Sequence, residues 1–514
     1  MLVLAALLLP ATFARAESVV SIWTNLYQSG LNGFGEVSAL KPDASGNVYV
    51  TGGYEDGNGM DFLTIKYSKT GTAVWTNKYD GPTNGFSPAE ALALDGSGDV
   101  YVAGSSGTGS EYDFVTIKYT SAGVPLWTNR YNGPGIGVGN SDDHLRGMAL
   151  DGDGNAYVVG NVGVGSAQAG WAAIKYSSAG LPLWTNLLSK AGGGVQHRKV
   201  MALDGNTNVC ISGFIDDDLL IVKYSSAGAL LWTNRYSEYP FSPDSPSMTV
   251  DGPGNVYVAG QSSLGGGDTA YGTLKYSAEG VPLWTNRYNQ AVGDSVESVQ
   301  AIAVDGGGNV FVTGLGQTTP GIFVFDYVTL KYSATGQPAW TNRYNGPGNG
   351  SDFAMAMTVD GSGNAYVTGG ASGAGVTTIK YAGTGTPVWT NSYMGPQNAG
   401  GLGYALAVDA GDNLFVGGGW RTTNGWRNYF TLKYSPSDLP FQIDPARGFW
   451  GVTNEQFAFT FTGPLGSNAV VEVSTNTSTW SPWQTNLLTD GTASFLDSQV
   501  TNYLNRFYRG RLLP

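Results

Sequence analysis

The tripeptide Trp-Thr-Asn recurs eight times along the chain, and this repetition constrains the fold more than any other feature. Successive tryptophans are 52, 52, 57, 48, 52, 56 and 49 residues apart. Repeats of this length are typical of β-propeller blades and exceed the period of helical solenoids. The eight copies begin at Trp23, Trp75, Trp127, Trp184, Trp232, Trp284, Trp340 and Trp389.

Two further landmarks recur in a fixed order within each repeat. A turn of the type Asp-Gly-x-Gly-Asn begins at Asp43, Asp95, Asp151, Asp204, Asp251, Asp305, Asp360 and Asp409. A strand of the type Thr-x-Lys-Tyr carries its lysine at Lys66, Lys118, Lys175, Lys223, Lys275, Lys331, Lys380 and Lys433. Alternating apolar residues between these landmarks predict four strands per repeat, which we name A to D.

The side chains of strands A and D indicate where each lies in a blade. Strand A carries small residues at alternate positions, such as Ala91 and Ala93, which suits the crowded centre of a propeller. Strand D carries the repeated tryptophan, which suits the outer rim, where neighbouring sheets diverge. We therefore expect the eight tryptophans to be structural and to pack between blades. The alternative is that they form an exposed binding platform.

The order of the landmarks also predicts how the ring closes. The chain begins with a lone strand D around Trp23, and the eighth set of strands A to C ends near Lys433 with no Trp-Thr-Asn after it. The first strand can therefore complete the last blade and remove a free sheet edge. The predicted fold class is all-β: an eight-bladed propeller, with seven blades as the alternative.

Composition supports this class and excludes others. The 514 residues include 77 glycines and are 41% hydrophobic but only 13% charged, which favours short strands and tight turns with almost no helix. The net charge of −13 argues against nucleic acid and anionic lipid as partners. Cys210 is the only cysteine, so a disulfide framework is excluded, and we expect it to be a small core residue.

The first 16 residues are typical of a secretory signal peptide. An apolar run is closed by Ala14-Arg15-Ala16, and the run is far shorter than the ~20 residues of a membrane span. An N-terminal anchor is the alternative. We expect domains at 1–16 (signal), 17–438 (propeller) and 439–514, with the mature protein secreted or on the cell surface, without an integral membrane segment, and monomeric.

The repeated phrases resemble a known family. The sequences DGxGNVYVTG, TIKYSxxG and LWTNRYNGP, in that order, are similar to the bacterial SBBP-type β-propeller repeat over about residues 19–435. The resemblance implies a propeller in a secreted or surface protein and brings no catalytic residues. That family is named for seven blades, whereas this sequence has eight sets of landmarks.

Loop lengths separate a uniform face from a variable one. The lysine of strand C stands nine residues before the tryptophan of strand D in all seven cases, whereas the turn aspartate stands 19 to 26 residues before the lysine. The B–C and D–A loops therefore vary, and strand geometry places them on the same face, which is where binding usually resides. Candidate ligand-binding residues on these loops are His144, Arg146, His197, Arg198, Trp171, Trp420 and Trp426.

Two functions remain open for this face. The first is a non-catalytic scaffold that binds a protein or glycan; the second is a polysaccharide lyase or hydrolase. In the second, His144 and His197 would act as a general base or metal pair while Arg146 and Arg198 hold an acidic sugar. The more conservative interpretation treats both histidines as solvated loop residues. We expect no metal and no cofactor.

Two motifs have structural alternatives. The segment that begins at Asp151 is similar to part of a calcium loop but lacks the downstream glutamate, so an ordinary turn accounts for it. The motif GxxLW is similar to the tryptophan docking motif of eight-bladed quinoprotein dehydrogenases, but their adjacent-cysteine disulfide is impossible with Cys210 alone. The lysines of strand C are expected to contact nearby aspartates or carbonyls.

From about Leu439 the repeat landmarks disappear. Residues 439–514 have alternating strands, which predict a small immunoglobulin-like β-sandwich similar to C-terminal modules of secreted bacterial proteins. Trp480 and Trp483 are expected in its core or at its edge. Arg506, Arg509 and Arg511 make its C-terminal end basic.

Overall fold

The computed structural model describes most of the repeat region and part of the C-terminal segment. The described residues are 19–28, 34–55, 59–81, 87–108, 111–134, 143–163, 169–189, 201–215, 218–238, 241–242, 247–265, 268–289, 296–319, 322–421, 427–436, 442–443, 451–453, 456–462, 468–474, 481–487, 492–497 and 507–513. Within them, regular structure is β-strand apart from one 3₁₀ turn at Pro396–Asn398. The predicted all-β class is confirmed.

The first four blades are consecutive antiparallel sheets of four strands each. Each sheet follows chain order, so strands A, B, C and D lie side by side. Blade 1 comprises β2 (Gly35–Pro42), β3 (Val48–Glu55), β4 (Met60–Tyr67) and β5 (Ala73–Tyr79); blade 2, β6 (Ala89–Leu94), β7 (Val100–Thr108), β8 (Glu111–Tyr119) and β9 (Pro125–Tyr131); blade 3, β10 (His144–Leu150), β11 (Ala156–Gly163), β12 (Ala169–Tyr176) and β13 (Pro182–Ser189); blade 4, β14 (Met201–Leu203), β15 (Val209–Ile215), β16 (Asp218–Tyr224) and β17 (Leu230–Tyr236).

The next three blades repeat this arrangement, and the eighth is assembled from both ends of the repeat region. Blade 5 comprises β18 (Ser247–Val250), β19 (Val256–Gly265), β20 (Asp268–Tyr276) and β21 (Pro282–Tyr288); blade 6, β22 (Glu297–Val304), β23 (Val310–Thr319), β24 (Ile322–Tyr332) and β25 (Pro338–Tyr344); blade 7, β26 (Phe353–Val359), β27 (Ala365–Ala371), β28 (Gly375–Tyr381) and β29 (Pro387–Tyr393); blade 8, β30 (Gly401–Val408), β31 (Leu414–Arg421), β32 (Arg427–Pro436) and β1 (Val19–Tyr27).

The eight sheets form a closed ring. Each strand A contacts the strand A of the next blade, and the circuit closes where β30 of blade 8 meets β2 of blade 1. Strand β1 pairs with β32 and supplies strand D of blade 8. The eight-bladed prediction is therefore confirmed, and the seven-bladed alternative is wrong. Residues Ser21–Tyr434 form one compact unit.

Strands B and C supply the apolar core between blades. Strand β3 is buried along almost its whole length, as is β28, whereas strand D alternates between exposed and half-buried residues. Valine, tyrosine and isoleucine side chains from one blade pack against those of the next in each core cluster. The blades are therefore held together by burial of β-branched and aromatic side chains.

Seven of the repeated tryptophans connect one blade to the next. Each lies on strand D, is half-buried, and donates its indole N–H to a backbone carbonyl in the C–D turn of the following blade, at 2.9–3.2 Å. The following asparagine of Trp-Thr-Asn donates its side-chain amide to a second carbonyl of the same turn, at 2.7 Å in all seven cases. The repeated phrase is thus an interblade contact.

The lysine of strand C converges on the same turn. In seven blades its ammonium group donates to the carbonyl that accepts the indole N–H, at 2.9–3.4 Å. In several blades the lysine also pairs with the turn aspartate of its own blade, as Lys223 does with Asp204 at 2.8 Å. The lysine therefore joins the A–B turn of its blade to the next blade.

The glycine of each C–D turn is required by two constraints. Gly180 has a φ of +83°, which favours glycine, and a Cβ there would lie 2.8 Å from the ring of Trp127. The indole therefore stacks directly on the backbone of the neighbouring turn. This explains why a glycine stands four residues before the tryptophan of strand D in each of these turns.

The Asp-Gly-x-Gly-Asn segments are ordinary A–B turns. In the segment that is similar to a calcium loop, Asp151 accepts the N–H groups of Asp153 and Asn155, at 3.1 and 2.9 Å. Asp43 makes the equivalent bonds in blade 1. The additional aspartate at 153 does not change the geometry of the turn.

Cys210 is completely buried in strand B of blade 4, within an apolar cluster. Burial raises the pKa of its thiol to about 12. The thiol is therefore protonated and shielded, as expected for a small core residue.

The C-terminal segment contains strands in two sheets. One comprises β33 (Gln442–Ile443), β34 (Gly451–Thr453), β35 (Gln456–Thr462) and β38 (Thr492–Asp497), and the other comprises β36 (Asn468–Ser474), β37 (Ser481–Leu487) and β39 (Phe507–Leu513). Val471 and Phe495 are buried, one from each sheet. Trp483 is half-buried on β37, and Trp480 lies outside the described residues. Among all the residues described, no helix is long and apolar enough to cross a membrane.

Candidate ligand-binding face

The two faces of the propeller differ in how much their connections vary. One face carries the A–B and C–D turns, which are nearly identical from blade to blade. The opposite face, which we call the loop face, carries the B–C and D–A connections. Strand β24 begins nine residues before Lys331, whereas β16 begins five residues before Lys223. At ~3.3 Å per residue, the B–C hairpin of blade 6 extends roughly 13 Å further than that of blade 4.

An aromatic side chain lies at the end of the longest hairpin. Phe323 is 72% exposed, more than any other large hydrophobic residue in the described chain. It stands one residue into β24, directly after the B–C connection of blade 6. An exposed phenylalanine on a projecting hairpin is a suitable anchor for a partner, since buried aromatic rings dominate interface energetics.

Buried aspartates fix the bases of two loops. The carboxylate of Asp143 accepts the N–H groups of Gly133, in a D–A connection, and of Gly163, at the end of β11 where a B–C connection begins. Asp352 accepts two backbone N–H groups in the same way between blades 6 and 7. Burial raises the pKa of Asp352, although these two hydrogen bonds oppose the change. These two aspartates therefore hold the ends of neighbouring D–A and B–C connections together.

A cavity of about 370 Å³ lies at the centre of the ring. Strand A of six blades contains a β-bulge at one equivalent position, five residues before the turn aspartate. A bulge redirects a side chain out of the regular alternation. The six bulge residues all line the cavity: Ser38, Glu90, Arg146, Gln300, Met355 and Tyr404. The equivalent positions 199 and 246, in blades 4 and 5, lie outside the described residues.

The residues at this position differ in every repeat. By contrast, the turn aspartate, the strand C lysine and the strand D tryptophan occur in all eight repeats. Among the described residues, Glu36 and Val37 also line the cavity, which we call the axial cavity. The lining is therefore chemically mixed, although the strands that carry it are nearly identical.

Two polar groups of the axial cavity differ in their hydrogen bonding. The carboxylate of Glu90 accepts a hydrogen bond from Ser105 at 3.3 Å. The Nε atom of Arg146 is shielded from solvent and has no hydrogen-bond partner within the described protein. A shielded N–H of this kind is costly to leave unbonded, so it favours an acceptor from a ligand or water.

The structure places the predicted site residues in different environments. His144 is half-buried at the start of strand A in blade 3 and stacks on Tyr112 of blade 2, with ring centroids 5.0 Å apart. Arg146, two residues further on, lies in the axial cavity. His197, Arg198 and Trp426 lie outside the described residues, so the predicted pairing of the two histidines stays a prediction.

Two of the candidate tryptophans occupy the core instead of the surface. Trp171 is only 5% exposed, and its ring lies so close to Gly213 of blade 4 that a Cβ there would be 2.0 Å away. Phe62 and Phe114 occupy the same position on strand C of other blades and contact the equivalent glycines. Trp420 is also 5% exposed. Burial removes both rings from contact with a large ligand.

Metal ligands do not cluster in the described part of the chain. No group of three or more histidine, cysteine, aspartate or glutamate residues is close enough there to hold an ion. The bulge residues are the feature that sequence reasoning missed, apart from Arg146. Their signal was available: a position that is variable in otherwise uniform repeats.

Comparison with known proteins names no family for the chain. No family model matches the sequence, and a search of curated proteins found no match. Similar solved structures include a protein from Lactobacillus plantarum (14% identity, 69% of this chain and 84% of that chain, TM-score 0.38). Others are the polysaccharide lyase Uly1 (10%, 78% and 90%, 0.44) and the WD40 domain of SCAP from fission yeast (8%, 81% and 98%, 0.42). The class that the fold defines is the eight-bladed β-propeller.

Proposed function

We propose that this protein is a secreted, non-catalytic β-propeller of the SBBP-repeat type that binds a protein or glycan ligand through its loop face. One observation carries the proposal. The residue five positions before the turn aspartate is different in all eight repeats, and the six described copies meet in one cavity. A position that serves only the scaffold would repeat, as the docking tryptophan does.

The rest of the blade supports a scaffold role. The C–D turns are held by three hydrogen bonds each, from tryptophan, asparagine and lysine, so the frame is rigid. Variable loops on a rigid frame are the usual arrangement for recognition. Among the described residues on the loop-face side, the exposed ring of Phe323 and the axial cavity offer contacts.

Export and the C-terminal module belong to the same proposal. The apolar run in residues 1–16 supports cleavage of a signal peptide before Glu17. The alternating strands after Leu439 support an immunoglobulin-like module that contacts a surface component. A secreted protein of this kind meets its ligand outside the cell.

A binding screen tests the proposal. The full chain would be applied to an array of neutral and acidic glycans and to a panel of bacterial surface proteins, alongside Phe323→Ser. We expect specific, saturable binding to at least one glycan or protein. Turnover of a glycan without binding of any non-reactive ligand would contradict the non-catalytic proposal, as would no binding to any member of the screen.

A further inference from the structure

The axial cavity has the shape and chemistry of a small-ligand site. Its volume of about 370 Å³ is near the lower end of the range for ligand pockets, ~300–1,000 Å³. Its lining comes from blades 1, 2, 3, 6, 7 and 8, so it lies across the axis of the ring. A cavity of this size suits one or two small rings and excludes a folded partner.

Charge narrows the class of ligand. Glu36 and Glu90 contribute two carboxylates, and Arg146 contributes one guanidinium. The carboxylates disfavour a polyanion, because unscreened like charges within a cavity repel. A lysine ammonium has no acceptor atom, so it would leave the shielded Nε of Arg146 unbonded. The whole chain carries a net charge of −13, which adds to the barrier for an anion. A neutral ligand is therefore favoured.

The hydrogen-bonding capacity of the lining narrows the class of ligand further. Carboxylates accept, a guanidinium donates, and the amide of Gln300 does both. The shielded Nε of Arg146 requires an acceptor. A hydroxyl group donates and accepts at once, so a ligand with several hydroxyls can bond to the Nε of Arg146 and to its neighbours without bringing a charge.

The neighbouring part of the ring supplies apolar surface. Met355 and Tyr404 stand on blades 7 and 8, whereas the charged residues stand on blades 1 to 3. An aromatic ring offers a large apolar face together with a polar hydroxyl. Sugar rings have the matching character, with an apolar C–H face and hydroxyl groups at the edge.

We propose that the axial cavity binds one neutral sugar residue of a glycan. This inference rests on the proposed binding function and assigns its ligand class and site. Arg146 and the carboxylates bond the hydroxyl groups, while Tyr404 and Met355 cover the apolar face of the sugar. The exposed loop face then contacts the remainder of the glycan.

Ligand titration of the full chain tests this assignment. Methyl glycosides of glucose, galactose, mannose and N-acetylglucosamine would be titrated by NMR, with polygalacturonate as an anionic probe and a basic peptide as a cationic one. We expect at least one neutral glycoside to bind with a Kd on the order of 1 mM. We expect neither charged probe to compete with it.

Variants locate the site. Glu90→Gln keeps the size of the side chain, and Arg146→Met removes the donors, so each should weaken glycoside binding about 10- to 100-fold. Leu126→Ser, on the outer rim and 52% exposed, is the matched control and should stay within about twofold of wild type. Melting curves would show that Glu90→Gln and Arg146→Met are folded.

The outcomes separate this inference from the proposed function. Glycoside binding that survives both axial variants would place the site elsewhere and overturn the inference alone. Binding of only the peptide or only polygalacturonate would also overturn it while leaving a binding function intact. Failure of every glycoside, peptide and protein ligand would overturn both.

Discussion

Removal of one docking tryptophan should destabilise the propeller. The loss of stability has a part from packing of the ring and a part from its hydrogen bond. Trp232 packs against the core of blades 4 and 5 and donates its indole N–H to the carbonyl of Ala278 at 2.9 Å. Large aromatic-to-alanine changes in cores cost ~3–5 kcal/mol, and Trp232 is half-buried, so we expect about 3 kcal/mol for Trp232→Ala.

The hydrogen bond contributes the smaller part. The carbonyl of Ala278 also accepts from Lys223 at 3.1 Å, so loss of the indole N–H does not leave it unbonded. Trp232→Phe should therefore cost only about 1 kcal/mol. Asn234→Ala removes a 2.7 Å bond to Gly280 and should cost a similar amount.

Trp389 is the matched control for the interblade contact. It has the same sequence context and is also half-buried, and its ring contacts Tyr366 of its own blade. No hydrogen bond joins its indole N–H to another described residue, because blade 8 takes its strand D from β1 and not from a continuous C–D turn. We expect Trp389→Ala to cost roughly half as much as Trp232→Ala.

Differential scanning calorimetry of the full chain measures these effects. An unfolding entropy of about 2.1 cal/mol/K per residue over roughly 400 residues gives about 0.8 kcal/mol/K, so a loss of about 3 kcal/mol lowers the Tm by about 4 °C. Guanidinium titration would check the free energies independently. Equal loss of stability in Trp232→Ala and Trp389→Ala would refute the interblade docking argument.

Three further predictions concern a turn glycine, a buried carboxylate and the single thiol. Gly180→Ala should lower the Tm measured by calorimetry, because of its positive φ and its contact with Trp127, whereas Gly152→Ala, which has open space around it, should not. Asp204 has a pKa below its ordinary value, since hydrogen bonds outweigh the effect of burial; its contribution to the free energy of unfolding is present above the unfolded carboxyl pKa of about 3.9 and is lost as the pH falls through the folded pKa. Urea titrations from pH 7 to 2 should therefore show a smaller decline for Asp204→Asn than for wild type. Cys210 should not react with a thiol reagent in the native protein and should react fully in guanidinium, as followed by absorbance; rapid native labelling would contradict its burial.

The blade architecture could be predicted because the scaffold residues repeat. The tryptophan, the lysine and the turn aspartate mark the order of the strands in every repeat, and the lone first tryptophan marks the strand that closes the ring. Strands β1 to β32 have the order that these residues predict. Their partners could not be predicted in the same detail. The acceptors in the C–D turns are backbone carbonyls, such as that of Ser178, which no residue type reveals.

The candidate site was harder to predict for the opposite reason. The bulge residues, such as Glu90 and Tyr404, do not repeat, so a search for shared motifs passes over them. Trp171 was predicted as a ligand residue because it stands near a variable loop, but Phe62 and Phe114 at the equivalent position show that the side chain packs between blades. Sequence alone does not show which face of a strand a lone aromatic residue occupies.

Hydrogen exchange of the first strand measures whether the ring is closed. A ring of eight blades closed by β1 requires Val19–Tyr27 to be hydrogen-bonded to β32. We expect amides in this segment to exchange as slowly as those of Pro125–Tyr131, which is strand D of blade 2 and has the same edge position. Exchange of Val19–Tyr27 at the rate of an unfolded peptide, with Pro125–Tyr131 still protected, would contradict the closed ring.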